Sequence, residues 1–193
     1  GSFGTLFTGG TIRLSNTKIE SRSSVLYSIA RNNYRFENNT KPGRPVEYLN
    51  NAAYNNYGVL QELFGKIKNG GILSFSLLYL DFDRQIQPSV SLNDRPESYA
   101  SIYDRNFKTS VGYNNSAKSF SYGITASYSY DHQRYKEDVI AAHTFIASAE
   151  GEYKTEKFTL KGGLSGTYIK PVVHSYADSV FEERGNVYLL AKY

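Results

Sequence analysis

Few residues in this chain have the types and spacing to do chemistry. Three histidines, His132, His143 and His174, stand far apart. His132 with Glu137 and Asp138 could be drawn as a metal cluster, because hard cations take carboxylate oxygens. The same polar run reads far more readily as an external loop. Serine is abundant, yet none sits in a nucleophile elbow. Glycines are plentiful without a phosphate-cradling spacing. Gly162, Gly163 and Gly166 fall inside a strand pattern, where glycine marks close backbone approach or curvature. Asn38-Asn39-Thr40 and Asn114-Asn115-Ser116 match the glycosylation sequon. There is no Cys, which excludes disulfides and thiolate metal sites. No catalytic grouping and no cofactor signature emerges, so the chain reads as a non-enzyme. The candidates for ligand contact are Arg84, Gln85 and Gln87. An arginine fork of five donors suits phosphate or carboxylate, and the two amides add neutral donors and acceptors. Arg84 reads more readily as a rim residue meeting lipopolysaccharide head groups or a neighbouring loop.

Such residues need elements to hold them, and the elements are strands. Ser119 to Tyr130 alternates most cleanly. Phe120, Tyr122, Ile124, Ala126, Tyr128 and Tyr130 fall on one face, and Ser119, Ser121, Gly123, Thr125, Ser127 and Ser129 on the other. The run is about twice the common soluble strand. It has the length and patterning of a tilted bilayer-crossing strand, apolar outward and polar toward a lumen. Nine such segments are expected, roughly at 10–15, 20–34, 52–68, 71–84, 101–114, 118–131, 140–155, 157–170 and 185–193. Phe75, Leu77, Phe120, Tyr122, Ile124, Phe145, Leu160 and Leu164 are expected to face lipid. Ser74, Ser121, Gly123, Thr125 and Ser165 are expected to face the lumen. The charged residues Asp81, Asp104, Lys108, Glu150, Glu152, Lys154 and Lys161 are assigned to the lumenal faces. Gln61 and Glu62 put polar groups on both faces of the segment around Val59 to Ile67, which leaves its reading open.

The connections alternate in length. Short turns are expected at Ser15–Ile19, Lys68–Gly71, Asn114–Lys118 and Thr155–Lys157. Long stretches are expected at Arg35–Asn51, Gln85–Ala100, Asp131–Val139 and Pro171–Arg184, and these hold or border all five prolines. Outer-membrane barrels have short periplasmic turns and long extracellular loops. The fold class expected is therefore all-β, a transmembrane antiparallel β-barrel. A soluble sandwich or a lipocalin-like barrel would also alternate, but would not require strands this long.

Composition agrees. Eighteen Tyr and eleven Phe suit membrane interfaces. Mean hydropathy is negative, which disfavours a helical membrane protein but not a barrel. The net charge of +4 is scattered, so nucleic acid is not an expected partner. There is no Met at position 1 and no signal-peptide pattern. A first strand that descends into a short turn, and a ninth that also descends, leave at least one strand unaccounted for, because bacterial single-chain barrels have even strand numbers. The expectation is a piece of a longer barrel, residues 1–193 being a partial barrel domain whose two end strands do not pair with each other.

The N-terminal residues Gly1-Ser2-Phe3-Gly4-Thr5 and Gly9-Gly10-Thr11-Ile12-Arg13-Leu14 resemble the early barrel region of TonB-dependent outer-membrane receptors of Bacteroidota type, nearest the cobalamin-receptor-like branch. Asn32-Asn33-Tyr34-Arg35-Phe36, Ala53-Tyr54 with Gly58-Val59-Leu60-Gln61-Glu62-Leu63, and Asp83-Arg84-Gln85-Ile86-Gln87-Pro88 extend the resemblance across roughly residues 1–115. Beyond that only the barrel rhythm supports it. The resemblance implies about nine strands of a 22-stranded barrel in the bacterial outer membrane. It implies as partners outer-membrane lipid, the rest of the barrel with its plug, periplasmic TonB and a surface lipoprotein. The implied role is import of a scarce, large nutrient such as a cobalamin-like molecule, a siderophore or an oligomer. The plug domain and the TonB-binding box have no counterpart here. A small barrel of eight to ten strands, serving as adhesin or anchor, is the alternative. An outer-membrane lipase or protease lacks a defensible Ser, His and acid grouping.

Overall fold

The computed structural model describes residues 4–68, 70–173 and 180–193. The residues Gly1, Ser2, Phe3 and His174 fall outside that set, as does part of the last long connection. Nine long strands form one antiparallel meander. They are β1 (Thr5–Ser15), β2 (Ile19–Ala30), β5 (Tyr54–Lys66), β6 (Ile72–Ile86), β7 (Ala100–Ala117), β8 (Phe120–Tyr135), β9 (Asp138–Lys154), β10 (Thr159–Val173) and β11 (Glu182–Lys192). Two short strands, β3 (Arg35–Glu37) and β4 (Val46–Tyr48), pair within the connection from β2 to β5. The described residues contain no α-helix, only two 3₁₀ turns at Val90–Leu92 and Pro96–Ser98. All nine expected segments correspond to strands. Several are longer than expected, with β7, β8 and β9 at 18, 16 and 17 residues.

One expected loop is a correction. The stretch Asp131–Val139 was expected to be a long connection. Instead β8 runs on to Tyr135 and β9 starts at Asp138, so Lys136 and Glu137 alone make the turn. Polarity on both faces suggested a loop. Nothing in the stretch breaks a strand, since it contains neither Pro nor Gly. Lys136 supplies the left-handed turn conformation, at φ 53°. Pro171 lies within β10, just past Ile169, the last residue that pairs with β11.

The register assigns every strand residue to a face, because directly opposed residues share one. Through successive ladders, Leu73, Tyr113, Ile124, Ala149, Leu164 and Val187 form one row. Phe75, Leu77, Phe120, Tyr122, Ile124, Phe145, Leu160 and Leu164 all lie on this face, which we call outer. Ser74, Ser121, Gly123, Thr125 and Ser165 all lie on the opposite, inner face. Gln61 and Glu62 resolve cleanly. Gln61 is on the outer face, where its amide accepts from Ser23 Oγ at 2.5 Å and donates to Ser21 Oγ at 3.1 Å. Glu62 is on the inner face, paired with Arg22. Asp81 corrects the assignment of charges. It shares the outer face with Leu77 and Tyr79, two and four residues before it.

The sheet has one layer and no core. Only Ala30, Leu49 and Ala141 are buried hydrophobics among the described residues. The accessible surface is 13622 Å², against roughly 9,200 Å² expected of a compact monomer of this mass. Ile12, Val25, Ile124, Phe145, Leu164 and Leu189 are all more than 45 % exposed on the outer face. A sheet is stable only when its apolar face is covered, so the outer face requires an apolar partner.

Both ends of the apolar band slant. Moving toward the loops, and setting aside Gln61, whose amide is taken up within the face by Ser21 and Ser23, the first charged or strongly polar outer-face residue is Asn55 on β5, Asp81 on β6, Arg105 on β7, His132 on β8, His143 on β9, Lys170 on β10 and Glu183 on β11. Asp81, Arg105 and His132 are register partners, but Asn55 opposes Asp83 rather than Asp81. Likewise His132 opposes Ala141 rather than His143, and Glu183 opposes Tyr168 rather than Lys170. The boundary thus falls by two residues three times over six strand steps. The hairpin ends fall in the same direction. Glu20 of the first hairpin opposes Phe64, two short of Lys66; Ile72 opposes Asn114, three short of Ala117; and Phe120 opposes Tyr153, one short of Lys154. That is again six residues over six strand steps. One residue per strand, about 3.3 Å of rise across about 4.8 Å of spacing, is a slant of about 35°.

Candidate functional site at the loop end of the sheet

The two long loops, 31–53 and 87–99, lock onto each other above the β2–β5 and β6–β7 ends. Asn38 and Asn93 are fully buried. Asn93 Nδ2 donates to the Tyr48 carbonyl at 2.8 Å and to Glu47 Oε2 at 3.2 Å, and its Oδ1 accepts the Asn50 N–H at 2.9 Å. Asn38 Nδ2 donates to the Val90 carbonyl and to Glu47 Oε2, both at 3.0 Å. Lys41 Nζ reaches Glu47 at 2.7 Å and Asp94 at 2.9 Å. Leu49 is packed beneath, and Asn51 Nδ2 bridges to the Ile86 and Ala100 carbonyls at 2.7 Å. Apart from the bonds of Asn38 and Lys41 to Glu47, which lie within the β3–β4 hairpin, these bonds span positions that no local pattern relates. The burial of Asn38 also removes it as a glycosylation acceptor in the folded state.

The Lys41 ammonium, followed by the Asn38 amide, holds the Glu47 carboxyl below its ordinary value. Lys41 does the same to Asp94, and both carboxylates raise Lys41. A carboxylate whose folded pKa is depressed stabilises the fold above its unfolded pKa and loses that effect as pH falls through the folded one. A raised lysine stabilises below its unfolded pKa and loses the effect as pH rises through the folded one. Amide protection at Leu49 and Asn50, corrected for intrinsic exchange, is therefore expected to be level between about pH 6 and pH 9 and to fall in acid below the carboxylate range. Hydrogen exchange followed across that range checks it.

The ligand candidates are not brought together. Arg84 lies on the inner face, where its Nη2 meets Asp104 at 2.5 Å, and Gln133 Nε2 donates to the other Asp104 oxygen at 2.8 Å. Gln85 lies on the outer face and accepts the Ala53 N–H at 3.0 Å. Gln87 is exposed beyond β6. Alternation separates neighbours on one strand, so Arg84 and Gln85 point to opposite sides of the sheet.

The outer face at the same height carries a cluster that was missed. Asp81, 5 % exposed, accepts from Tyr103 Oη at 2.6 Å, Tyr79 Oη at 3.1 Å and Arg105 Nε at 3.3 Å. The Arg105 and Arg134 guanidinium carbons lie 5.3 and 5.6 Å from the Tyr103 ring centre, within cation–π range. His132 packs edge-on to Tyr103 rather than joining Glu137 and Asp138. Among the described residues no group of three or more His, Asp or Glu is placed to hold a metal. The signal for this cluster was present in the spacing Leu77, Tyr79, Asp81. Near the turns, Gly163 admits the Tyr188 ring, which a Cβ would approach to 2.6 Å, whereas Gly166 has open space. Close approach thus accounts for Gly163 and not for Gly166.

Compared with protein-family models and with curated proteins, the chain matches none.

Proposed function

We propose that this sheet is an arc of a transmembrane β-barrel in the bacterial outer membrane, part of a TonB-dependent type of receptor that imports a scarce, large nutrient. The observation that carries the membrane reading is the slant. The loop-side polar boundary and the hairpin ends are parallel and run about 35° from the perpendicular to the strands, which is how two flat membrane surfaces cut strands tilted by 35–45°. On β8 the apolar band runs from Phe120 to Tyr130, ten residue steps. At about 3.3 Å per residue and a tilt of about 35° that is about 27 Å of height, close to the ~25 Å apolar band of such barrels.

Two features support a large, plugged barrel over a small one. First, β1 pairs only with β2 and β11 only with β10 among the described residues, and open strand edges are not tolerated in lipid. Further strands must cover both edges, wherever they come from. Second, the middle of β6, Leu77 to Leu80, is apolar on both faces, between Ser76 and Arg84 on the inner one. Leu78 and Leu80 line the inner face beside Leu60 and Leu26, and Gly58 leaves the room that Leu80 fills. A strand apolar on both sides is covered on both sides, which suits a lumen filled by a packed domain more than an aqueous channel. The sequence resemblance supplies the receptor class.

The test has two parts. An epitope placed at Gly43 is expected to be labelled on intact cells, and one at Lys118-Ser119 only after the outer membrane is opened. The opposite pattern contradicts the orientation. Reading the coding sequence on both sides of the chain then tests the class. A plug-sized domain and further strands support the receptor, and a signal peptide directly before residue 1 favours the small adhesin or anchor.

A further inference from the structure

The lysines are distributed unevenly, and the distribution follows the sheet. Each of the four tight connections on the hairpin side carries one lysine, at Lys18, Lys68, Lys118 and Lys157. Lys66, Lys154 and Lys192 close the adjoining strands on the inner face. These seven make no ion pair among the described residues, and all seven are exposed. Of the other five lysines, Lys41, Lys108 and Lys161 each meet a carboxylate, and only Lys136 and Lys170, on the loop side, are likewise without an ion pair among the described residues. Glu156 is the one acid within the four turns, and no arginine lies there. Directly inside this rim, the outer face ends in Ile67, Tyr113, Tyr122, Phe120, Tyr153 and Phe158. Aromatic side chains next to free lysines are the pattern of a membrane–water interface, where the rings sit among headgroups and the ammonium groups extend past them.

We propose that the four turn lysines, Lys18, Lys68, Lys118 and Lys157, form a rim that binds the phosphate groups of anionic phospholipids in the leaflet on the turn side. The inference rests on the barrel reading above and adds a ligand class to it. Adjacent turns are two strands apart, about 10 Å, so each ammonium reaches a separate headgroup. An anionic surface contributes roughly 1 kcal/mol per nearby lysine, or about fivefold each, before salt screening. Lysine rather than arginine suits a diffuse layer of headgroups, since it acts as a mobile point charge rather than a fixed fork.

The test uses the protein in its full encoded form, refolded into phosphatidylcholine vesicles with and without phosphatidylglycerol. The comparison is with a variant carrying Lys18→Gln, Lys68→Gln, Lys118→Gln and Lys157→Gln, and with one carrying Arg at the same four positions. The measured quantity is the folded-to-unfolded ratio in urea, with protease protection as the sign of insertion. The native protein is expected to gain at least about tenfold from the anionic lipid. The Gln variant should lose most of that gain, the Arg variant should keep it, and high salt should abolish it. Equal gains for the native and Gln proteins, with both protected, would overturn the lysine rim and leave the barrel standing. Absence of protection in either lipid would overturn the barrel reading and the rim together.

Discussion

Replacing Ile124 with arginine is expected to destabilise the bilayer-inserted protein by about 2–4 kcal/mol, and replacing its neighbour Thr125 with arginine by much less. Ile124 sits near the middle of the β8 band, 54 % exposed on the outer face between Tyr113 and Ala149. In lipid its side chain has only hydrocarbon around it, so a guanidinium there is unpaired and unhydrated. Thr125 is the inner-face partner of Gly112 and Ser148, beside a polar surface that can solvate a charge. Urea titration of the two variants in the same vesicles gives the comparison. Similar losses would mean that the two faces meet similar surroundings, which a barrel wall does not allow.

Replacing Asn93 with alanine is expected to open the loop pair while leaving the sheet intact. The change strands the Asn50 N–H and the Tyr48 carbonyl, and it removes a donor from Glu47. An orphaned buried group costs about 1–3 kcal/mol, so a local loss of about 3 kcal/mol follows, or roughly a hundredfold in the opening equilibrium. Limited proteolysis in 38–50 and 90–96 should accelerate accordingly, with strand amides unchanged. Asn39→Ala, at an exposed neighbour that no hydrogen bond described above requires, should change little.

The strands were legible because they answer to a local rule. Period-two alternation needs only neighbours two residues apart, and it placed all eight outer-face and five inner-face side chains on common faces. The same rule, followed through Leu77 and Tyr79, would have put Asp81 on the outer face. What made that assignment look wrong is chemistry across strands, since Tyr103 and Arg105 come from β7. The loop pair was not legible for a related reason. Asn93 reaches residues 43 to 46 positions away, and nothing in an Asn-rich stretch distinguishes a buried asparagine from a solvated one. The β8–β9 hairpin was misread because polarity was taken as a turn signal where only Pro or Gly would have been one. Arg84, Gln85 and Gln87 were grouped by adjacency, and adjacency on a strand separates side chains.

In the proposed barrel the outer face meets lipid and the inner face does not. The chain contains no cysteine, so single cysteines at positions 121–130 can carry a spin label without background. In vesicles, labels at Tyr122, Ile124, Ala126 and Tyr128 are expected to collide preferentially with dissolved oxygen. Labels at Gly123, Thr125, Ser127 and Ser129 are expected to be shielded from it and to favour a water-soluble relaxant or none. A period-two alternation in that phase is the predicted result. An alternation of the opposite phase, or equal accessibility at both sets, would contradict the account.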